Sequence, residues 1–351
     1  FFSIILFNFL FEQKDNKIKE FAIDKKTKII KEKINGKEII CNLKIPLSNC
    51  LDEEIKNNIL LIGNSQLNGI NQKKDNDYLT SHYLKNRFKQ SNTNFITFAL
   101  PNGSITEFLI LYEYLNSKIK IDKIIISLVF DDLREGNIRP DLTSLFDNLH
   151  FKDNFNKNKH RQKILKKITK QKNIVKKYES EESIQDSVER KINYFLNMCC
   201  NYDDKKLNAT TKIYLNLYKL RNYVFNINPT TERKMIPSFY QDNIESLQEI
   251  IKFSKEKNIS LYFYIAPIRN DIKIPYNLNE YNQFLKFSKK ISDTYEINYK
   301  NFEKIVPNNL WGTKTGTSIN REIETDFMHF QGPAHKILSS YIYKFLKNND
   351  F

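Results

Sequence analysis

The chain has 351 residues, 40% of them apolar and 28% charged, enough for one large domain or two modest ones with a sizeable core. Its formal net charge of +15 raises the question of nucleic acid, but much of the excess sits in residues 151–191, with 13 Lys or Arg against 6 Asp or Glu, and the rest is scattered. No zinc-knuckle, basic-zipper or RNP-like pattern accompanies the charge, so nucleic acid is not expected as a partner.

The first 11 residues, FFSIILFNFLF, are nearly all apolar. A bilayer span needs about 20 such residues, and the sequence starts with Phe rather than Met. We read this stretch as the end of a signal anchor or signal peptide, because charged sequence from Glu12 to Lys17 follows at once. That reading predicts an extracytoplasmic protein, periplasmic or at the cell surface, held to the membrane by an N-terminal helix. The plainer alternative is a buried first strand or helix. Four cysteines occur, Cys41, Cys50, Cys199 and Cys200, with no CxxC pair, so no zinc ribbon or other metal site is expected. Outside the cytoplasm Cys41 and Cys50 could pair; four free buried thiols are the alternative.

Residues 12–56 read as a short β-rich lead-in with Gly36 as a turn. A regular alternation then begins. Ile59–Ile62 is an apolar run stopped by Gly63-Asn64-Ser65, as in a buried parallel strand. Asn94–Leu100 is a second run, closed by Pro101-Asn102-Gly103. Ser104-Ile105-Thr106-Glu107 is a capping box opening a helix with Ile105, Phe108, Leu109, Tyr112 and Leu115 on one stripe. Lys123–Phe130 and Ile259–Ala266 are the third and fourth strands, the latter after an amphipathic helix from about Asp242 to Lys257. The last helix spans about Pro333 to Leu346. Strands alternating with helices predict an α/β fold with a parallel sheet. Residues 57–134 and 235–351 form the predicted catalytic domain. Residues 135–234 carry no evident strand and read as a basic helical insertion, a cap that faces an anionic polymer or membrane surface, or simply a solvated helical face.

Ser65 lies just past the first strand, at the edge where open α/β sheets bind ligands. A helix starting near Gln66 would aim its amides at an oxyanion beside Ser65. Alternatively Ser65 is only the cap of a βα turn. A serine nucleophile needs a base and a group to orient that base. His329, with Asp326 three residues before it, fits those two roles, on a loop before the last helix. His82, His150, His160 and His335 have no acid so placed, and His335, inside the last helix, reads as structural.

The conjunction of Gly63-Asn64-Ser65, Gly103, the stretch Val129-Phe130-Asp131-Asp132 and Asp326-x-x-His329 resembles the SGNH/GDSL hydrolase superfamily over residues 57–346, the insertion excepted. The resemblance implies a flavodoxin-like three-layer α/β/α sandwich and no cofactor. It implies Ser65 as nucleophile, Asp326 and His329 as the other triad members, and the Ser65 and Gly103 amides as oxyanion donors. Where that family has an asparagine donor, this chain has Asp131, whose ionised form would repel an oxyanion. The N-terminal apolar stretch and the strings around Ala266–Ile272 and Asp326–His335 are similar to the membrane-anchored cell-envelope branch, the D-alanine transfer and alginate O-acetylation proteins. That branch implies acyl transfer to a cell-surface glycan beside a membrane-bound O-acyltransferase, with simple ester hydrolysis as the variant. A non-catalytic glycan-binding scaffold is the rival reading. Arg134, Arg269 and Asp271, at the strand ends, are candidates to bind a substrate hydroxyl or phosphate, or else form a surface ion pair. Trp311, the only tryptophan, reads as a loop residue that stacks on a sugar ring or merely packs.

Overall fold

The apolar runs form strands in the computed structural model, which describes residues 31–34, 37–40, 55, 57–179, 217, 219–225, 231–316 and 323–348. Five parallel strands make the central sheet: β1 (Asn57–Gly63), β2 (Thr93–Ala99), β3 (Lys123–Leu128), β4 (Ser260–Ile265) and β5 (Asn298–Asn301). Their order is β2-β1-β3-β4-β5, the flavodoxin-like arrangement in which the chain reverses direction at β1. Strand β1 is buried from Asn58 to Gly63, and β3 from Ile124 to Leu128. Covered on both faces, such strands need no polar alternation, which is why they read as continuous apolar runs.

Helices α1 (Thr80–Lys89), α2 (Ile105–Asn116), α3 (Leu149–Phe155), α4 (Lys159–Glu179), α5 (Pro237–Glu256), α6 (Leu278–Tyr295) and α7 (Gly332–Lys347) complete the sandwich. Helix α2 packs against α5, and α1 against α7. Tyr112 of α2 meets Phe253 of α5 edge-on at 5.2 Å, while Phe88 of α1 lies 5.2 Å from Tyr343 of α7. The capping box at Ser104 forms as the sequence predicts, with Ser104 and Glu107 each accepting from the other's backbone N–H. Helices α5 and α7 match their predicted spans to within a few residues.

Three elements differ from expectation. The segment after Ser65 is a single 3₁₀ turn, Ser65–Leu67, and the helix waits until Thr80. Strand β5 is polar (NYKN) and half exposed at the sheet edge, so it lacks the apolar signature of its neighbours. A separate antiparallel hairpin, β6 (Trp311–Thr315) with β7 (Ile323–Phe330), replaces the predicted loop before the last helix.

The described part of the insertion is integral to the core. Phe146, Phe151, Phe155, Ile164, Leu165 and Ile168 join the same apolar cluster as the sheet. Arg161, buried in α4, pairs with Glu113 of α2 at 2.7 Å and Glu249 of α5 at 2.8 Å. Residues 180–216, with Cys199 and Cys200, lie outside the described residues, as do the apolar N-terminus and Cys41 and Cys50. In the lead-in, Lys31–Ile34 pairs antiparallel with Lys37–Ile40. Among the described residues no helix is long and apolar enough to cross a membrane.

Candidate active site

Strand β1 ends at Gly63, where the chain must turn sharply beside β3. A Cβ on Gly63 would sit 2.7 Å from Leu67 Cδ1 and 2.8 Å from Ser127 Cβ, closer than side chains tolerate. Glycine therefore lets Asn64 and Ser65 leave the sheet at its C-terminal edge. Asn64 is the cap of the 3₁₀ turn, its Oδ1 accepting from the Gln66 N–H at 3.0 Å. The capping role open to Ser65 is thus filled by its neighbour, and the Ser65 hydroxyl is left for other partners.

That hydroxyl meets His329. Ser65 Oγ lies 2.8 Å from His329 Nε2, and His329 Nδ1 lies 2.9 Å from Asp326 Oδ2. Asp326 and His329 are on β7 rather than on a loop. Asp326 is almost wholly buried. Its Oδ1 accepts from the Met328 and His329 N–H groups at 2.9 and 3.0 Å, and Asn71 Nδ2 donates to Oδ2 at 3.3 Å. Burial by itself would raise the Asp326 pKa. The hydrogen bond and charge of His329, with the two backbone donors, outweigh it and hold the carboxyl below its usual range. An ionised Asp326 fixes the tautomer with a proton on Nδ1, leaving Nε2 to accept from serine.

The oxyanion donors depart from expectation. Among the described residues the Ser65 N–H makes no hydrogen bond, so it remains available beside Ser65 Oγ. The Gly103 N–H is instead engaged, donating to Leu100 O at 2.8 Å to close the turn after β2. A Cβ at Gly103 would lie 2.8 Å from that same carbonyl oxygen, so the glycine serves a tight turn here rather than the oxyanion. Asp131 offers no donor either. Its Oδ1 accepts from Arg134 at 2.8 Å, and its Oδ2 from Arg233 at 2.8 Å and Tyr276 Oη at 2.9 Å. Two guanidinium groups offset its charge, so the expected repulsion is blunted. Its neighbour Asp132 is buried and accepts from the Val129 N–H at 2.9 Å. Burial drives the Asp132 pKa well above the carboxylate range; the Val129 N–H opposes the rise and the Asp131 charge adds to it.

No family model matches the chain, and no curated protein matches it. Among solved structures, the chain is similar to a GDSL-like lipase from Bacteroides thetaiotaomicron, with 9% sequence identity over 85% of this chain and 91% of that one and a TM-score of 0.39. It is also similar to a variant of an acetyl-xylooligosaccharide esterase from Geobacillus, with 7% identity over 82% of this chain and 93% of that one and a TM-score of 0.37.

The candidate substrate residues are mostly committed to the protein itself. Arg269 and Asp271 form a two-point ion pair at 2.7 and 3.0 Å, and that pairing with Arg269 lowers the Asp271 pKa. Arg269 Nη1 also donates to Gly312 O at 3.2 Å, bracing the base of the β6–β7 hairpin. Arg134 Nε donates to Lys234 O at 2.7 Å. Trp311 begins β6 and is 4% exposed, packed edge-on against Phe330 at 5.6 Å, so it has no face for a sugar ring. His335 is fully buried between Thr80, whose N–H faces Nδ1 at 3.3 Å, and Gly69 O, 3.2 Å from Nε2. Burial pushes its pKa down to about 3, so it is neutral.

Sequence reasoning overlooked Gln66, Asn71, Arg233 and Tyr276. Arg233 and Tyr276 carry no local pattern. Gln66 follows Ser65 directly, and Asn71 lies six residues past it, so proximity to Ser65 was the available signal.

Proposed function

We propose that this protein is a serine-dependent acyl-transfer enzyme. The observation that supports the reading is the unbroken chain from Ser65 Oγ through His329 to a buried, ionised Asp326, at the C-terminal edge of a parallel sheet. Ser65 Oγ attacks the acyl carbonyl as its proton passes to His329 Nε2. The Ser65 N–H faces the developing oxyanion. The ester C–O bond then breaks, the leaving oxygen takes the proton from His329, and an acyl-serine remains. In the second half His329 takes a proton from the acceptor as the acceptor attacks the acyl carbonyl, then gives that proton to Ser65 Oγ as the acyl–serine bond breaks. Water as acceptor gives an esterase; a sugar hydroxyl gives O-acylation.

We favour a cell-envelope glycan as acceptor, with the protein anchored outside the cytoplasm beside a membrane-bound O-acyltransferase. The motifs similar to the cell-envelope branch and the apolar first 11 residues support that part. A non-catalytic glycan-binding role has one specific observation in its favour: the Gly103 amide, an expected oxyanion donor, is otherwise engaged, and Asp131, which stands where the resembled family has an asparagine donor, only accepts. Losing one such donor costs a factor of about 10²–10³ in known enzymes.

Fluorophosphonate labelling separates the two. Catalysis predicts labelling of the wild type and none of Ser65→Ala; equal labelling of both removes Ser65 from the chemistry. An acetyl ester supplied with a glycan acceptor then distinguishes transfer, which leaves acetate on the glycan, from hydrolysis, which releases it all to water.

A further inference from the structure

The residue after the nucleophile is a fully buried glutamine, 1% exposed. Its side chain runs back across the site. Gln66 Nε2 donates to Met328 O at 2.8 Å and to Pro267 O at 2.5 Å, with Met328 Sδ at 3.3 Å. An amide nitrogen carries two hydrogens, and both are used on carbonyls from segments 201 and 262 residues away.

The two carbonyls are well chosen. Pro267 lies in the loop after β4, and Arg269 in that loop donates its N–H to Phe327 O at 3.1 Å. Met328 O belongs to the peptide unit whose other end is the His329 N–H. That N–H donates to Asp326 Oδ1 at 3.0 Å. One rigid peptide plane therefore receives a hydrogen bond from the nucleophile's neighbour and gives one to the triad acid. Hydrogen bonds in such a chain polarise one another. The β6–β7 hairpin is not part of the central sheet, so no strand ladder fixes β7 against β1. Something else must set the 2.8 Å separation of Ser65 Oγ and His329 Nε2.

We infer that Gln66 is a positioning residue that couples the nucleophile turn to the strand carrying the base, by pinning the Met328–His329 peptide plane through its side-chain amide. The inference rests on the acyl-transfer reading of Ser65. Only glutamine's length and two uncharged donors satisfy both carbonyls: methionine matches the shape without a donor, and a neutral glutamate offers at most one hydrogen.

The test is the probe-concentration dependence of fluorophosphonate labelling in wild type, Gln66→Met, Gln66→Glu and Ser65→Ala, with thermal melts alongside. Gln66→Met should label at least about tenfold more slowly at saturating probe, because a small misplacement of nucleophile and base is costly in rate. Its half-saturating probe concentration should stay within about twofold of wild type, since Gln66 does not touch the probe. A loss of maximal rate at an unchanged half-saturating concentration, in protein that the melt shows to be folded, is a change that a smaller folded fraction cannot produce. Gln66→Glu should move the same way by less, and it carries the test if Gln66→Met does not fold. Wild-type labelling rates in the folded Gln66 variants, or slowing that only tracks the melted fraction, would overturn the proposal. Labelling of Ser65→Ala at the wild-type rate would instead sink the underlying acyl-transfer reading, and the Gln66 role with it.

Discussion

The Asp326 carboxylate holds His329 at two points, its Oδ2 2.9 Å from the ring Nδ1 and its Oδ1 3.0 Å from the backbone nitrogen. Ring tautomer, and ring position within β7, are thereby set by one side chain. Asp326→Asn keeps the shape but presents an amide that no longer demands a proton on Nδ1. Ester turnover should fall by about 10³-fold or more, as expected when the wrong tautomer is stabilised. The melting temperature should shift by only a few degrees. Steady-state rates on a small ester, beside a thermal melt, check both; turnover within tenfold of wild type would remove Asp326 from the mechanism.

His335 makes stability depend on pH. Buried neutral with a pKa of about 3, it is harder to protonate when folded than in the unfolded chain, where the usual value is about 6.5. Its contribution is complete above about pH 6.5 and is lost as pH falls toward 3, at up to about 1.4 kcal/mol per pH unit. Glu113 works in the opposite sense. Burial pushes it up to about 7 against the pull of Arg161, so it takes up its proton first in the folded state and favours folding as pH drops from 7 toward 4.5. The His335 term is therefore read as a difference. Urea midpoints from pH 7 to 4.5 should fall more steeply for wild type than for His335→Gln; parallel curves would contradict the assignment.

Gly63→Ala places a methyl group against Leu67 and Ser127 of the neighbouring strand. Overpacking of this kind costs about 1–3 kcal/mol. Because the displaced turn carries Ser65, turnover should drop together with the urea midpoint. An unchanged midpoint would show that the turn yields without strain.

Arg161→Ala leaves Glu113 and Glu249 without their shared buried cation. Breaking a buried pair in this way costs about 3–5 kcal/mol. The same packing implies that removing residues 152–191 as a detachable cap fails, since Phe155, Ile164 and Ile168 leave the core with them. Denaturation of Arg161→Ala, and the solubility of the deletion, test whether this segment is structural. A deletion that folds and hydrolyses small esters would restore the idea of a separate cap.

The sheet was legible because four of its strands are buried on both faces and so are written as apolar runs, whereas β5, half exposed at the edge, is written in polar residues. Ser65 stood out because Gly63 must end a strand there. The hairpin carrying Asp326 and His329 was not legible, since β6 and β7 stabilise each other and neither has a strong pattern alone.

What the linear chain determined by itself are the local matters: strand and helix periodicity, the Ser104 capping box, and the spacing that puts Asp326 beside His329. These depend on neighbours a few residues apart, where geometry follows from covalent connectivity. Only the tertiary structure decided that Ser65 reaches His329 across 264 residues, that the Gly103 amide is spent on Leu100, that Trp311 is buried, and that Gln66 spans two distant carbonyls. Hydrogen-bond partners and burial depend on which segments the fold brings within about 3 Å, and no local pattern encodes that.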